Sequence, residues 1–166
     1  MILCATNLSY QKLSFFKFLQ KIKGCGIDNI EIAPTLLFKN YPNKKNILFL
    51  KKKLEENKIN IKSFQSIFFN TKKIDVKNKN HFIYLVNHFN KVIKLAKKLN
   101  VKKLSLASCP SRNFSNNKKI LYQYNLKLFK EFSKTASKND ITINLESVSL
   151  KYGNNFLNSP NETMAF

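Results

Sequence analysis

Short apolar runs alternate along the chain with longer segments whose apolar residues recur every three or four positions. The first pattern predicts buried strands and the second amphipathic helices. Strand one runs from Ile2 to Leu8. Helix one, Gln11 to Lys23, places Phe15, Phe16, Leu19 and Ile22 on one side, and Gly24-Cys25-Gly26 ends it as glycine commonly does. Strand two is Asn29 to Ala33, stopped by Pro34. Helix two spans Asn43 to Asn57 with Ile47, Leu50 and Leu54 at helical spacing, and strand three runs from Ile59 to Phe69. Helix three has the clearest stripe: Phe82, Leu85, Val86, Phe89, Val92, Ile93, Ala96 and Leu99. Strand four is Lys103 to Ala107, ended by Cys109-Pro110. Helix four covers Asn116 to Lys138, with Leu121, Tyr124, Leu128 and Phe132 on one face, and strand five is Ile141 to Glu146.

Strands that alternate with helices imply an α/β fold, a parallel sheet and right-handed crossovers. The strands also tend to finish in polar residues. That is the pattern of a barrel-type enzyme whose chemistry sits at one rim. The expectation is an incomplete TIM barrel of about five βα units with parallel strands, forming one domain over residues 1–166. Ser159-Pro160-Asn161-Glu162 announces another helix, with Ser159 as N-cap, Pro160 in the first turn and Glu162 at the capping-box position. The chain stops at Phe166, whereas a complete barrel takes about 250 residues. Truncation at the C-terminal end is therefore expected, with two open sheet edges through which copies could associate.

Composition narrows the function. Hydrophobic residues make up 43%, which suits a globular domain with a real core. No apolar run reaches the length of a membrane span, and Ile2 and Leu3 enter a strand with no signal-peptide pattern before them, so a cytoplasmic protein is expected. The net charge of +21 raises a nucleic-acid reading. Arg112 is the only arginine, however, and arginine is the usual bidentate partner of bases and phosphates. The lysines are scattered over nearly every element, so solvated lysine faces explain the charge better than a nucleic-acid groove. Anionic small molecules such as sugar phosphates are still favoured. No strand is followed by G-x-G-x-x-G, and three glycines argue against dinucleotide or P-loop binding. Cys4, Cys25 and Cys109 fit neither a disulfide framework nor a zinc pattern. Cys4 is expected to be buried in a strand.

Several residues could carry chemistry. Glu146 ends strand five, where a barrel would aim it into the rim; it could bind a divalent metal, take a proton from carbon beside a carbonyl, or be a plain surface carboxylate. Glu31 stands between Ile30 and Ile32 in a strand expected to be buried on both faces, so it needs a basic partner or a role. Gln65 in strand three could orient a substrate hydroxyl or satisfy backbone groups. Arg112, on the loop after strand four, could clamp a phosphate or carboxylate or form a loop salt bridge. Asn7, near the end of strand one, joins Glu31, Gln65 and Arg112 as a candidate for substrate binding. His81 and His88 lie at the edge of the helix-three stripe and read as structural.

Four segments, in order, resemble the xylose isomerase-like sugar phosphate isomerases/epimerases. Gly26-Ile27-Asp28-Asn29-Ile30-Glu31-Ile32-Ala33-Pro34-Thr35 is similar to the second-strand segment of that family, and Ser63-Phe64-Gln65-Ser66-Ile67-Phe68-Phe69 to its third strand. Ser108-Cys109-Pro110-Ser111-Arg112-Asn113 resembles the fourth-strand loop, with Cys109 breaking the usual run of small residues. Leu145-Glu146 through Tyr152-Gly153-Asn154-Asn155-Phe156 resembles the fifth strand and its loop. The resemblance implies a (β/α)8 barrel, a divalent metal at its rim, a sugar or sugar phosphate as substrate, and Glu146 as metal ligand or proton-transfer base. The family's other metal ligands come mainly from strands six to eight, which lie beyond this chain. Metal-dependent endonucleases of abasic DNA share the barrel. A nuclease and a non-catalytic remnant are therefore the competing expectations to an isomerase/epimerase that moves a proton next to a carbohydrate carbonyl.

Overall fold

Each of the five strands pairs with its neighbour in chain order, and every pairing is parallel. The structure is a computed structural model that describes residues 3–10, 14–38, 40–69, 71, 79–107, 117–152 and 154–166. The strands are β1 (Ala5–Thr6), β2 (Asn29–Ile32), β3 (Asn60–Gln65), β4 (Lys103–Leu106) and β5 (Thr142–Leu145). The helices are α1 (Phe15–Gly24), α2 (Pro34–Leu37), α3 (Lys44–Glu56), α4 (Lys79–Lys98), α5 (Lys118–Ser137) and α6 (Pro160–Ala165).

The two faces of the sheet differ sharply. Ile30, Ile32, Phe64, Leu104 and Leu106 point to one side and are buried beneath the helices, in one core with Phe18, Leu50, Phe89 and Phe132 among others. By register, Ile32 lies beside Phe64, Phe64 beside Leu104, and Leu106 beside Leu145, so this row continues to β5. The other face carries the alternate residues. Thr6 pairs with Glu31, Glu31 with Ser63, Gln65 with Ser105, and Ser105 with Asn144. Each of these is polar. An irregularity in the β2–β3 register keeps Glu31 beside Ser63 and Ile32 beside Phe64, so both faces stay segregated.

The sheet curves toward its polar face. Gln65 Nε2 donates to Thr6 Oγ1, although β2 lies between their strands. In a flat sheet strands two apart are about 9.6 Å from each other. Curvature of this sense is that of a barrel wall.

Four helix-to-strand joints share one design. Gly26, Lys58, Asn100 and Asp140 follow the helices α1, α3, α4 and α5 with φ of 73°, 52°, 56° and 54°. At each, the next residue, Ile27, Ile59, Val101 or Ile141, donates to the carbonyl five residues back: Ile22, Leu54, Ala96 or Ala136. The left-handed residue itself donates three residues back, to Lys23, Glu55, Lys97 or Ser137. This is the Schellman pattern, and the apolar residue after it returns the chain to the core.

Several expectations need correction. Pro34 does not merely stop a strand; it opens α2, which the sequence pattern missed. Strand three ends at Gln65 rather than Phe69, because Ser66 takes φ 46° and the chain turns, with Phe69 N–H on Ser66 O. Thr6 ends β1, and Asn7–Tyr10 forms a 3-10 turn. Cys4 is exposed rather than buried. Glu31 is not sandwiched between apolar layers, since its face of the sheet is polar. Ile2, Gln11–Leu13, Cys109 and Arg112 lie outside the described residues. The capping of α6 follows the sequence closely: Ser159 Oγ accepts from Glu162 N, while Glu162 Oε2 reaches Asn158 N at 2.6 Å.

Candidate functional site at the strand ends

The polar face and the C-terminal strand ends meet at one place. Glu146 follows β5, and its N–H donates to Leu106 O at 3.3 Å, so the ladder runs one residue past Leu145. Alternation then places Glu146 on the face of Asn144, Ser105 and Gln65. Its residue is exposed, and it lines an open recess of about 480 Å³ with Ser147, Pro160 and Thr163.

Glu31 sits lower on the same face. Ser63 Oγ donates to Glu31 Oε1 at 2.5 Å. Its partner is therefore a hydroxyl one strand away, not the lysine or arginine that the sequence suggested. Glu31 is half-buried, and its charge helps raise the pKa of the Cys4 thiol, after the larger effect of that exposed thiol's partial desolvation and against the Lys62 charge. Gln65 is half-buried and tied to Thr6, whose hydroxyl also accepts from Leu8 N at 3.2 Å.

Asn7 has a bracing role in the geometry. Its Nδ2 donates to Ala33 O at 3.2 Å, and its Oδ1 accepts from Ala33 N at 2.7 Å. That pair joins the end of β1 to the end of β2. Asn7 is buried, leaving one N–H and one lone pair of its amide for any further partner. Register and alternation thus put Glu31, Gln65 and Glu146 on one side of the sheet, while Asn7 follows β1 and its amide is engaged by the backbone of Ala33. Arg112 falls outside the described residues.

Thr6, Ser63, Ser105 and Asn144 belong to the same surface and were not singled out from sequence. The signal was there, as one polar residue at every second position of each strand. In a typical barrel these inward positions hold branched apolar side chains. Here they offer hydroxyls, amides and carboxylates, which suit a ligand with many hydroxyl groups.

His88 is structural, as expected. Its Nε2 lies 2.7 Å from Ile67 O, and its ring packs on Phe68 with centroids 5.0 Å apart. Burial pushes its pKa below the usual histidine value, with the Lys91 charge acting the same way and the Ile67 hydrogen bond opposing.

Among the described residues no three His, Cys, Asp or Glu side chains converge to hold a metal ion. Nor is any described helix long and apolar enough to cross a membrane. No protein-family model matches the chain, nor does any curated protein sequence. Solved structures do match. A D-psicose 3-epimerase determined in the presence of D-fructose superposes with TM-score 0.77 at 16% identity, over 99% of this chain and 58% of that one. A xylose isomerase-like TIM barrel protein from Mycobacterium smegmatis, in complex with magnesium, gives TM-score 0.69 at 15% identity over 99% and 59%. An AP endonuclease of family 2 from Brucella melitensis gives 0.67 at 12% identity over 93% and 59%. The chain spans 58%, 59% and 59% of the length of these three structures. At these identities the likeness establishes architecture: the chain has the fold of the corresponding part of xylose isomerase-like TIM barrels.

Proposed function

We propose that this chain is a sugar isomerase/epimerase-like protein in which Glu146 transfers a proton at carbon next to a carbohydrate carbonyl. The observation that carries the reading is the position of Glu146, an accessible carboxylate at a strand's C-terminal end, on a concave face lined by Gln65, Ser105 and Asn144. A carboxylate in that position can accept a proton from an acidified carbon within hydrogen-bond reach. The polar lining supplies groups that could hold substrate hydroxyls, and the fold is shared with sugar epimerases. Glu146 would also be one oxygen donor toward a divalent cation. Among the described residues no three His, Cys, Asp or Glu side chains gather around it.

Solvent isotope exchange tests this directly. Ketoses and ketose phosphates are incubated with the protein in D2O, and deuterium beside the carbonyl is read by NMR. Exchange with one of these sugars, lost by about 100-fold in Glu146→Gln, is the expected result. No exchange with any, with and without added magnesium or manganese, would refute it.

A second reading has its own support. The fold is shared with an AP endonuclease, and a net charge of +21, although scattered over solvated lysine faces, is compatible with a metal-dependent nuclease. Cleavage of an abasic-site duplex, falling steeply with salt, would establish it over the first.

A further inference from the structure

Behind the sheet, on the helix side, α2 and the loop after it face α4 across a groove of about 260 Å³. No strand residue lines it, so it is separate from the concave face. Its walls are unusually aromatic: Phe38, Tyr41, Tyr84 and His88. Its floor is apolar, from Pro34, Pro42, Val92 and Leu95. Among the described residues that line it none is acidic, and Lys91 stands at its edge. The Lys98 ammonium lies 5.6 Å from the Tyr41 ring centroid, which adds a second positive charge beside the groove.

One polar atom here is unexplained by the fold. Thr35 Oγ1 is buried without a hydrogen-bond partner, while Thr35 lines the groove. A buried hydroxyl left unpaired is costly and rare. Thr35 lines the groove, so an oxygen of a ligand seated there is the partner this hydroxyl lacks. Burial works against a charge on His88, and Ile67 O holds one ring nitrogen.

We propose that this groove is a second ligand site, taking a small planar carboxylate of single-ring size. Aromatic walls stack on a flat ring, Lys91 pairs with the carboxylate, and Thr35 supplies the hydrogen bond to its oxygen. The volume is below that of a drug-sized pocket, which sets the size of the ligand.

Benzoate is the probe, with acetate and cyclohexanecarboxylate as controls for charge alone and for ring size without planarity. They are titrated into the ¹⁵N-labelled protein and followed by amide shifts. Benzoate should saturate with a Kd on the order of 1 mM, moving the amides of Thr35, Tyr41, His88 and Lys91. Both controls should bind about tenfold more weakly. Lys91→Gln should weaken benzoate by about threefold, and Thr35→Val should weaken it without loss of fold. Non-saturating shifts spread over lysine-bearing surfaces would overturn the proposal. So would equal binding of acetate, or binding unchanged in both variants.

Discussion

Gln65 reaches over β2 to bond the hydroxyl of Thr6 on the concave face. Two side chains from strands that are not neighbours meet most readily where the sheet bends toward their face. The bond is therefore a local marker of the barrel curvature that groups the candidate site residues. Thr6→Val and Gln65→Leu, combined in a double-mutant cycle, should show a coupling of about 1 kcal/mol in urea unfolding. Simple additivity would mean that curvature is set by the helices alone.

Asn7 ties two strand ends by both atoms of its amide. Asn7→Ala should cost about 2 kcal/mol, because Ala33 N–H loses its side-chain partner while Ala33 O keeps the Leu36 N–H. Chemical denaturation measures the loss. A change within experimental scatter would remove the bracing role and return Asn7 to consideration as a ligand-binding residue alone.

Phe132 is fully buried and stacks on Phe89 with centroids 4.2 Å apart, joining α4 to α5. Phe132→Ala should destabilise by about 3–5 kcal/mol, and Phe132→Leu by less, since more volume is retained. Thermal unfolding of both variants gives the order, and a reversed order would show that the stack itself is strained.

His88 makes stability depend on pH with a definite sign. Burial lowers its folded pKa below the unfolded value, so in the interval between them the unfolded chain binds more protons. This contribution is unimpaired above the ordinary histidine pKa and declines as pH falls from there toward the folded value. The urea midpoint should drop from pH 7.5 to pH 5.5 by more in the wild type than in His88→Gln, a window taken from the ordinary pKa of about 6.5. Equal slopes would mean that other groups govern acid sensitivity.

Lys58 adopts φ 52° at its joint, where a side chain is strained and glycine is not. Lys58→Gly should stabilise by up to about 1 kcal/mol, the relief being offset partly by the freer unfolded chain. Destabilisation would show that the Lys58 side chain does more than tolerate the turn.

Strand and helix order was legible in the sequence because burial on one face imposes period two or period 3.6 wherever an element packs. The stripe from Phe82 to Leu99 was read within a few residues of α4, and Asn43 to Asn57 within one residue of α3 at each end. Strand three overran for a physical reason: Ile67, Phe68 and Phe69 are apolar like a strand, but two of them are buried in a turn under the helices. Glu31 was flagged from its neighbours, yet its partner was out of view, because Ser63 is thirty-two residues away and register alone brings them together. The prominence of Glu146 came from sequence, as did the choice of Gln65. The polar lining as a whole did not, since it emerges only when alternate residues of five strands are laid side by side.

The four matching joints have a consequence for how such a chain can change. Each repeat ends in the same clasp, so the junction between units carries little information about its neighbours. Exchanging the segments around Lys58, Asn100 and Asp140 should leave the architecture standing, while the loops at the opposite end are free to diverge. Evolution could then rewrite the loops at the strand ends without retouching the foundations of the wall.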